Sequence, residues 1–342
     1  MLFDSFTRQR DIALFFVVAG PFLGPFGMVS ARTHSLILSR AFRYSQLLGQ
    51  DIDVATELAI SVTGLRKTYT SKANGSKDAV AGIDLEVSRG EIFAILGPNG
   101  AGKTTTVEIL EGYRDRDGGE VKVLGQDPAK LGKDSWAWRN RIGIVLQSTN
   151  DAQDLSVSET VKHFANYYSN PRDPESVIRD VGLDEKKNAR IDTLSGGQRR
   201  RLDVALGIIG NPEILFLDEP TTGFDPEARR AFWELIRNLR DEGTTILLTT
   251  HYLDEAEALA DRVAVIVDGK IVEVSTPENL GGRNTAKARI SWLENGQRQE
   301  IESDFPAAEV TKLVAKFGGE VPELTVIRPS LEDIYLKMIG QP

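Results

Sequence analysis

The chain has no cysteine among its 342 residues, and only three histidines and three methionines. Disulfides and thiol chemistry are excluded, which suits a reducing compartment. Positive charge is not in excess either. The net charge is −9, and residues 1–56, with five Arg and four acids, leave 36 bases against 46 acids in the rest. Such a body offers no basic face for nucleic acid, whose binding is dominated by phosphate neutralisation. Long apolar runs are missing with one exception, Ile12 to Val29, which is 18 residues without a charge behind Arg8 and Arg10. This run reads as a leader or an anchor, yet Gly20-Pro21 and Gly24-Pro25 break a helix twice in its middle. A start codon assigned too far upstream, leaving residues 1–55 outside the working protein, is the expectation set ahead of a membrane-associated helix. The whole chain is 41% hydrophobic and 27% charged, ordinary for a globular protein with one large domain and smaller additions.

"GPNGAGKTT" follows a strand-like run, "EIFAILG", and opens a helix-like one, "KTTTVEILEGY". The stretch comprises Gly97, Pro98, Asn99, Gly100, Ala101, Gly102, Lys103, Thr104 and Thr105. Its glycines allow φ values that a side chain penalises, so consecutive N–H groups can turn inward, and the helix dipole favours an anion there. Lys103 can reach the β- and γ-phosphates, and the Thr104 hydroxyl can bind Mg²⁺. The stretch fits G-x-x-x-x-G-K-[ST] without a mismatch. Alone, it says nucleoside triphosphate and no more.

From Leu58 onward strand and helix signals alternate. "AISVTGLRKTYT", "AVAGIDLEVSRG", "GEVKVLG", "RIGIVLQ", "EILFLDEP" and "TTILLTTH" read as strands, several of them apolar on both faces as buried parallel strands are. Residues 157–169 place Val157, Val161, Phe164, Ala165 and Tyr168 on one helical face. "RVAVIVDGKIVEV" reads as a hairpin turned at Asp268-Gly269. The expectation is an α/β domain with a largely parallel sheet. Residues 283–342 read as a small C-terminal α+β appendage, with a hairpin at Asn295-Gly296 and a final helix capped by Ser330.

Ninety residues after the loop stands "LSGGQRRRLDVALGIIGNPEILFLDEPTTGFDP". Here the chain resembles the ATP-binding subunits of ABC transporters, over about Leu58 to Leu280. The resemblance implies a P-loop NTPase fold, an ABC nucleotide-binding domain at 56–280 with a small α-helical subdomain at about 148–193. "LSGGQ" matches the family's signature, so Ser195, Gly196, Gly197 and Gln198 face the ATP of a second nucleotide-binding subunit. Asp218 and Glu219 end an apolar strand; by the motif's logic Asp218 holds Mg²⁺ and Glu219 polarises the attacking water. Three more roles follow from the resemblance alone: Gln147 contacts metal and water, Asp225 lies in the D-loop, and His251 reaches the γ-phosphate. Phe224 departs from the leucine more usual there. Tyr69, 28 residues before Gly97, occupies the place of an adenine-stacking aromatic; a plain edge-strand tyrosine is the alternative. His34 and His163 match nothing.

With no other apolar span, the translocation pathway belongs to separate transmembrane permease subunits. Their helices would dock beside residues 148–170, where periodicity turns Phe164 and Tyr168 inward and leaves Tyr167 as the contact. The resemblance extends to ATPase subunits of drug and antibiotic exporters, the daunorubicin-resistance type, in "LEGYRDRDGGEVKVLGQDP" and "SLEDIYLKMIG". It implies an ATPase dimer on the cytoplasmic face of the membrane. A soluble ABC ATPase acting in translation, DNA repair or regulation is the alternative. Such proteins usually carry two motif sets or a long coiled coil, whereas here one set stands and 46 residues separate Gln147 from Leu194.

Overall fold

Three strands of the computed structural model are buried along their whole length: β3 (Ile92–Leu96), β6 (Ile214–Asp218) and β7 (Thr245–Thr250). The structure describes residues 57–71, 75–145 and 154–340. These strands sit inside a six-stranded sheet of order β5-β6-β7-β3-β8-β9, with β5 at Ile142–Val145, β8 at Arg262–Val267 and β9 at Lys270–Ser275. Every pairing is parallel except β8 with β9. Alternate residues feed opposite cores: Ile92, Ala94 and Leu96 face one, Phe93 and Ile95 the other. A continuous apolar run is what two covered faces demand.

The second core is closed by an antiparallel sheet of order β2-β1-β4, formed by β1 (Leu58–Ser71), β2 (Gly75–Ser88) and β4 (Gly118–Val123). Helix α1 (Lys103–Leu110) lies between the sheets through Val107, Ile109 and Leu110. α2 (Ser135–Arg139) adds Trp138, fully buried with its indole N–H donated to the Val123 carbonyl at 3.0 Å.

The first core is covered by helices. These are α3 (Val157–Ala165), α4 (Pro174–Asp180), α5 (Gly196–Ile208), α6 (Pro226–Asp241) and α7 (Leu253–Leu259). A capping box between Ser156 and Glu159 starts α3. The helix is shorter than the 157–169 pattern suggests. From Asn166 to Tyr168 the backbone closes i→i−3 bonds, tightening into a turn ahead of Pro171. Tyr168 still packs inward, against Gly210, where an added Cβ would lie 2.4 Å from its ring.

Both Gly-containing hairpins form where expected, with Asp268-Gly269 and Asn295-Gly296 at positive φ as a type I′ turn requires. β10 (Ala288–Glu294), β11 (Gln297–Ser303) and β12 (Thr325–Ile327) make a third sheet, packed by α8 (Pro306–Phe317) around Ile290, Trp292, Leu313 and Val321. α9 (Leu331–Met338) does not join that small core. Its Leu331 and Tyr335 enter the helical core of the main domain. The C-terminal segment is therefore tied into the main domain, and Thr56–Pro342 forms one compact unit.

At the N-terminal edge of the parallel strands, Glu213 accepts from Arg141 at 2.5 and 3.0 Å and from Arg89 at 2.8 Å. The Arg141 hydrogen bonds, against burial and with help from Arg89, hold its carboxyl down to about 2. A folded carboxyl that ionises below its usual 4.5 contributes fully above pH 4.5 and loses the contribution as pH falls through about 2. The group is partly exposed, so Glu213→Gln should cost about 1 kcal/mol at pH 7. Urea unfolding should show that difference shrinking as pH falls below 4.5.

Candidate active site

The C-terminal ends of β3, β6 and β7 converge on the loop between β3 and α1, the edge at which open α/β sheets present their sites. Gly102 holds φ +108°, and a Cβ there would lie 2.2 Å from the Ala79 carbonyl oxygen. A Cβ on Gly97 would lie 2.4 Å from the Ile266 carbonyl oxygen. The loop is thus pressed against β2 on one side and β8 on the other, and neither glycine has room for a side chain. Gly269 N–H donates to the Ala101 carbonyl at 2.9 Å, and Ala81 N–H to the Gly269 carbonyl at 2.8 Å.

Lys103 is buried, its Nζ donating to the Gly97 carbonyl at 2.8 Å and standing 3.5 Å from Glu219 Oε1. The same Glu219 oxygen lies 3.2 Å from His251 Nδ1. Glu219 itself has φ +46°, a left-handed conformation unusual for a residue with a Cβ. Its N–H is fixed to Thr249, by the carbonyl and by Oγ1, both at 3.1 Å. Asp218 divides its carboxylate between the Thr249 hydroxyl, at 2.5 Å, and the Thr104 hydroxyl, at 3.3 Å. The structure therefore gathers Lys103, Thr104, Asp218, Glu219 and His251 at one point.

The other expected positions lie on separate elements. Tyr69, on β1, is partly exposed beside the loop, its hydroxyl 3.5 Å from Thr105 Oγ1, with the Arg114 guanidinium 5.4 Å from its ring centre. Ser195 caps α5 in a reciprocal box with Gln198, leaving Ser195 and Gly196 exposed at that helix start. Asp225 caps α6 by accepting the Ala228 N–H at 2.8 Å. Phe224 is buried edge-on to Phe232. Gln147 lies outside the described residues, as do residues 1–55 and His34.

Sequence reasoning missed Arg200 and Thr249. Arg200, in the second turn of α5, is buried and donates to the Asp218 and Pro220 carbonyls at 2.8 and 3.0 Å. It ties the helix bearing Ser195 to the strand end bearing Asp218, a link no linear spacing reveals. Glu111 was also unremarked; burial, then Asp218 and Glu108, pushes its carboxyl up to about 8. It borders a cleft of about 490 Å³ with Phe164, Tyr168, Leu202 and Leu206. Tyr167 points outward next to His163.

A buried carboxylate, a partly buried one, a lysine and a histidine around a glycine cradle make a site for a nucleoside triphosphate and for attack on it by water. Comparison with known proteins gives the chain its family. The ABC transporter family matches residues 80–222. The Nod factor export ATP-binding protein I of Ralstonia nicotianae is 40% identical over 326 residues, covering 87% of this chain and 98% of that protein. The chain belongs to the ABC transporter ATP-binding family. As an ABC ATPase it binds and hydrolyses ATP. The daunorubicin/doxorubicin resistance ATP-binding protein DrrA of Streptomyces peucetius is 41% identical over 317 residues, 83% of this chain and 93% of that one. Among solved structures, a dimeric ATP-binding cassette in a post-hydrolysis state with ADP and Pi superposes with a TM-score of 0.58 at 24% identity. It covers 64% of this chain and 98% of its own. The cbiO1 structure from Clostridium perfringens gives 0.57 at 28% identity, over 65% of this chain and 90% of that one. The doubly covered parallel sheet and phosphate loop are this ABC cassette's fold. No helix among the described residues is long and apolar enough to cross a membrane. Cassettes of this family work with membrane components of transporters.

Gly102→Ala should disable the loop. The backbone strain and the clash with Ala79 are together worth about 1–3 kcal/mol, so calorimetric titration should show ATP affinity reduced about tenfold or more. Unchanged affinity would mean that the loop tolerates a different path past β2.

Proposed function

We propose that this ABC ATPase powers export of drug-like, antibiotic or other hydrophobic compounds, docked on the cytoplasmic face of the membrane against separate permease subunits. The observation that carries the enzymatic part is Glu219, held between Lys103 and His251 beside Asp218. The exporter part is supported by relatives whose names are Nod factor export and daunorubicin/doxorubicin resistance. Exposed Tyr167 and the cleft along Phe164 and Tyr168 are the proposed seat of a permease helix.

In this reading the loop amides and Lys103 bind the β- and γ-phosphates, and Tyr69 stacks on the adenine. The hydroxyl of Thr104 and the carboxylate of Asp218, hard oxygens already adjacent, fit Mg²⁺. When bound, that ion neutralises phosphate charge. Gln147 is assigned to the same ion and the water. Glu219 takes a proton from a water whose oxygen attacks the γ-phosphorus. The bond to the β–γ bridging oxygen breaks, releasing ADP and phosphate, while His251 holds the γ-phosphate. The start of α5, with Ser195, Gly196, Gly197 and Gln198, completes the site of a second copy of the chain, and Asp225 lies at the junction of the two. Two ATP molecules are then enclosed in one symmetric dimer.

Glu219→Gln should bind ATP while turnover falls by about two orders of magnitude or more. Light scattering of that variant should show ATP with Mg²⁺ driving monomers into dimers, since a ligand held only by the closed state shifts the equilibrium towards it. ADP should not do so, and a second change, Ser195→Arg, should abolish dimerisation with monomer ATP binding intact. A variant that hydrolyses ATP at the normal rate would overturn the role of Glu219. A species that stays monomeric at high concentration would point to a different partner subunit.

Every motif of the site lies beyond residue 56. We therefore expect a chain shortened to begin near Asp53 to fold and hydrolyse ATP like the full one. Loss of activity on that truncation would give residues 1–55 a working role.

A further inference from the structure

Behind the strand ends lies a second polar cluster that no role above uses. Glu255, in the first turn of α7, is completely buried, and neither of its carboxyl oxygens has a fully formed hydrogen bond. The Thr250 and Thr221 hydroxyls and the Trp233 indole face it, with the charge of Arg229 nearby. Thr221 Oγ1, Trp233 Nε1 and Arg229 Nε are likewise buried without a fully formed hydrogen bond. Burial pushes the Glu255 carboxyl up, against the lowering influence of these neighbours. A buried polar group left partly unpaired is costly, and a network of them is where two arrangements of a core differ most.

The members of the cluster come from three separate pieces of the site. Thr221 is two residues beyond Glu219, and Thr250 immediately precedes His251. Arg229 and Trp233 ride on α6, whose N-terminal cap is Asp225. The links continue outward from there. Thr250 Oγ1 accepts the Tyr252 N–H at 2.9 Å, the Tyr252 ring lies 4.1 Å from the His251 ring, and the Arg229 guanidinium stands 5.0 Å over Tyr252. One carboxyl thus adjoins the segments that carry Glu219, His251 and Asp225.

We infer that Glu255 is a positioning residue for hydrolysis: through Thr221 and Thr250 it sets the spacing of Glu219 and His251, and through Trp233 and Arg229 it couples that spacing to α6. The inference rests on Glu219 and His251 as the hydrolytic pair. Its geometry is local to the pair and does not touch the phosphate loop, so the chemical step depends on it and ATP binding does not.

The test compares Glu255→Leu, Glu255→Gln and Trp233→Phe in the full chain, measuring steady-state ATPase activity and calorimetric ATP affinity. Misplacing a catalytic pair by about 1 Å costs up to about a hundredfold. Glu255→Leu should therefore lower kcat by about tenfold or more with ATP Kd within about twofold. Glu255→Gln keeps an acceptor and a donor in the same shape and should stay within about threefold of the parent. Trp233→Phe, which removes one N–H, should lower kcat by about threefold to tenfold, and it carries the test if the leucine variant fails to fold. Overturning results are kcat unchanged in both Glu255→Leu and Trp233→Phe, a glutamine variant as poor as the leucine one, or a loss that appears equally in ATP affinity. Glu219→Gln run alongside separates the two levels. Normal turnover there overturns the hydrolytic pair itself, whereas an inactive Glu219→Gln beside a normal Glu255→Leu overturns only the positioning role.

Discussion

The carboxylate of Asp218 is the point on which this site depends. Its two oxygens are committed to different parts of the chain, one to Thr249 on β7 and one to Thr104 at the start of α1. Its own backbone carbonyl is held by Arg200 from α5. Three elements far apart in sequence are thereby referenced to the last residue of one strand. That strand cannot shift, because both of its faces are buried, Leu215 and Leu217 in one core and Ile214 and Phe216 in the other. Close packing on both sides converts a short polar motif into fixed geometry.

The same arrangement explains why so much polarity gathers at one edge. Inside a doubly covered sheet there is no place for a carboxylate, so ionisable groups appear only where strands end. Glu219 follows immediately in a left-handed backbone conformation, anchored twice to Thr249. The backbone strain is held by those two bonds, and it aims the side chain at Lys103 and His251 rather than along the strand.

Much of this was legible in the linear chain, for identifiable reasons. Apolar runs such as "ILFLD" and "IFAIL" announce buried strands, and Asp268-Gly269 and Asn295-Gly296 announce hairpins because few other pairs accept two positive φ angles. The phosphate loop is a local object, so its residues are contiguous. What stayed hidden depends on pairing across the chain. Arg200 looks like one of three consecutive arginines until α5 is seen against the end of β6. Glu255 looks like one acid among several on a surface helix, yet it is the one facing inward. The small C-terminal unit was readable as strands and helices, but not the fact that α9 turns back to place Leu331 and Tyr335 in the main core. The end of α3 was misjudged because apolar spacing continues through Tyr168, whereas the backbone tightens at Asn166.

The fit of the phosphate loop between two strands also governs when it comes into being. Gly102 is pressed on Ala79, Gly97 on Ile266, and Ala101 is hydrogen-bonded to Gly269. The motif is contiguous, but its shape is imposed by Ala79, upstream of it on β2, and by Ile266 and Gly269, more than 160 positions downstream. Contacts of such separation form late, after the loop-closure entropy has been met. During synthesis, a nascent chain that has not yet released Gly269 from the ribosome carries the complete motif without the downstream side of its cradle. Such a chain would emerge blind to nucleotide, and sensitivity to ATP would arrive only once the β8–β9 hairpin had docked.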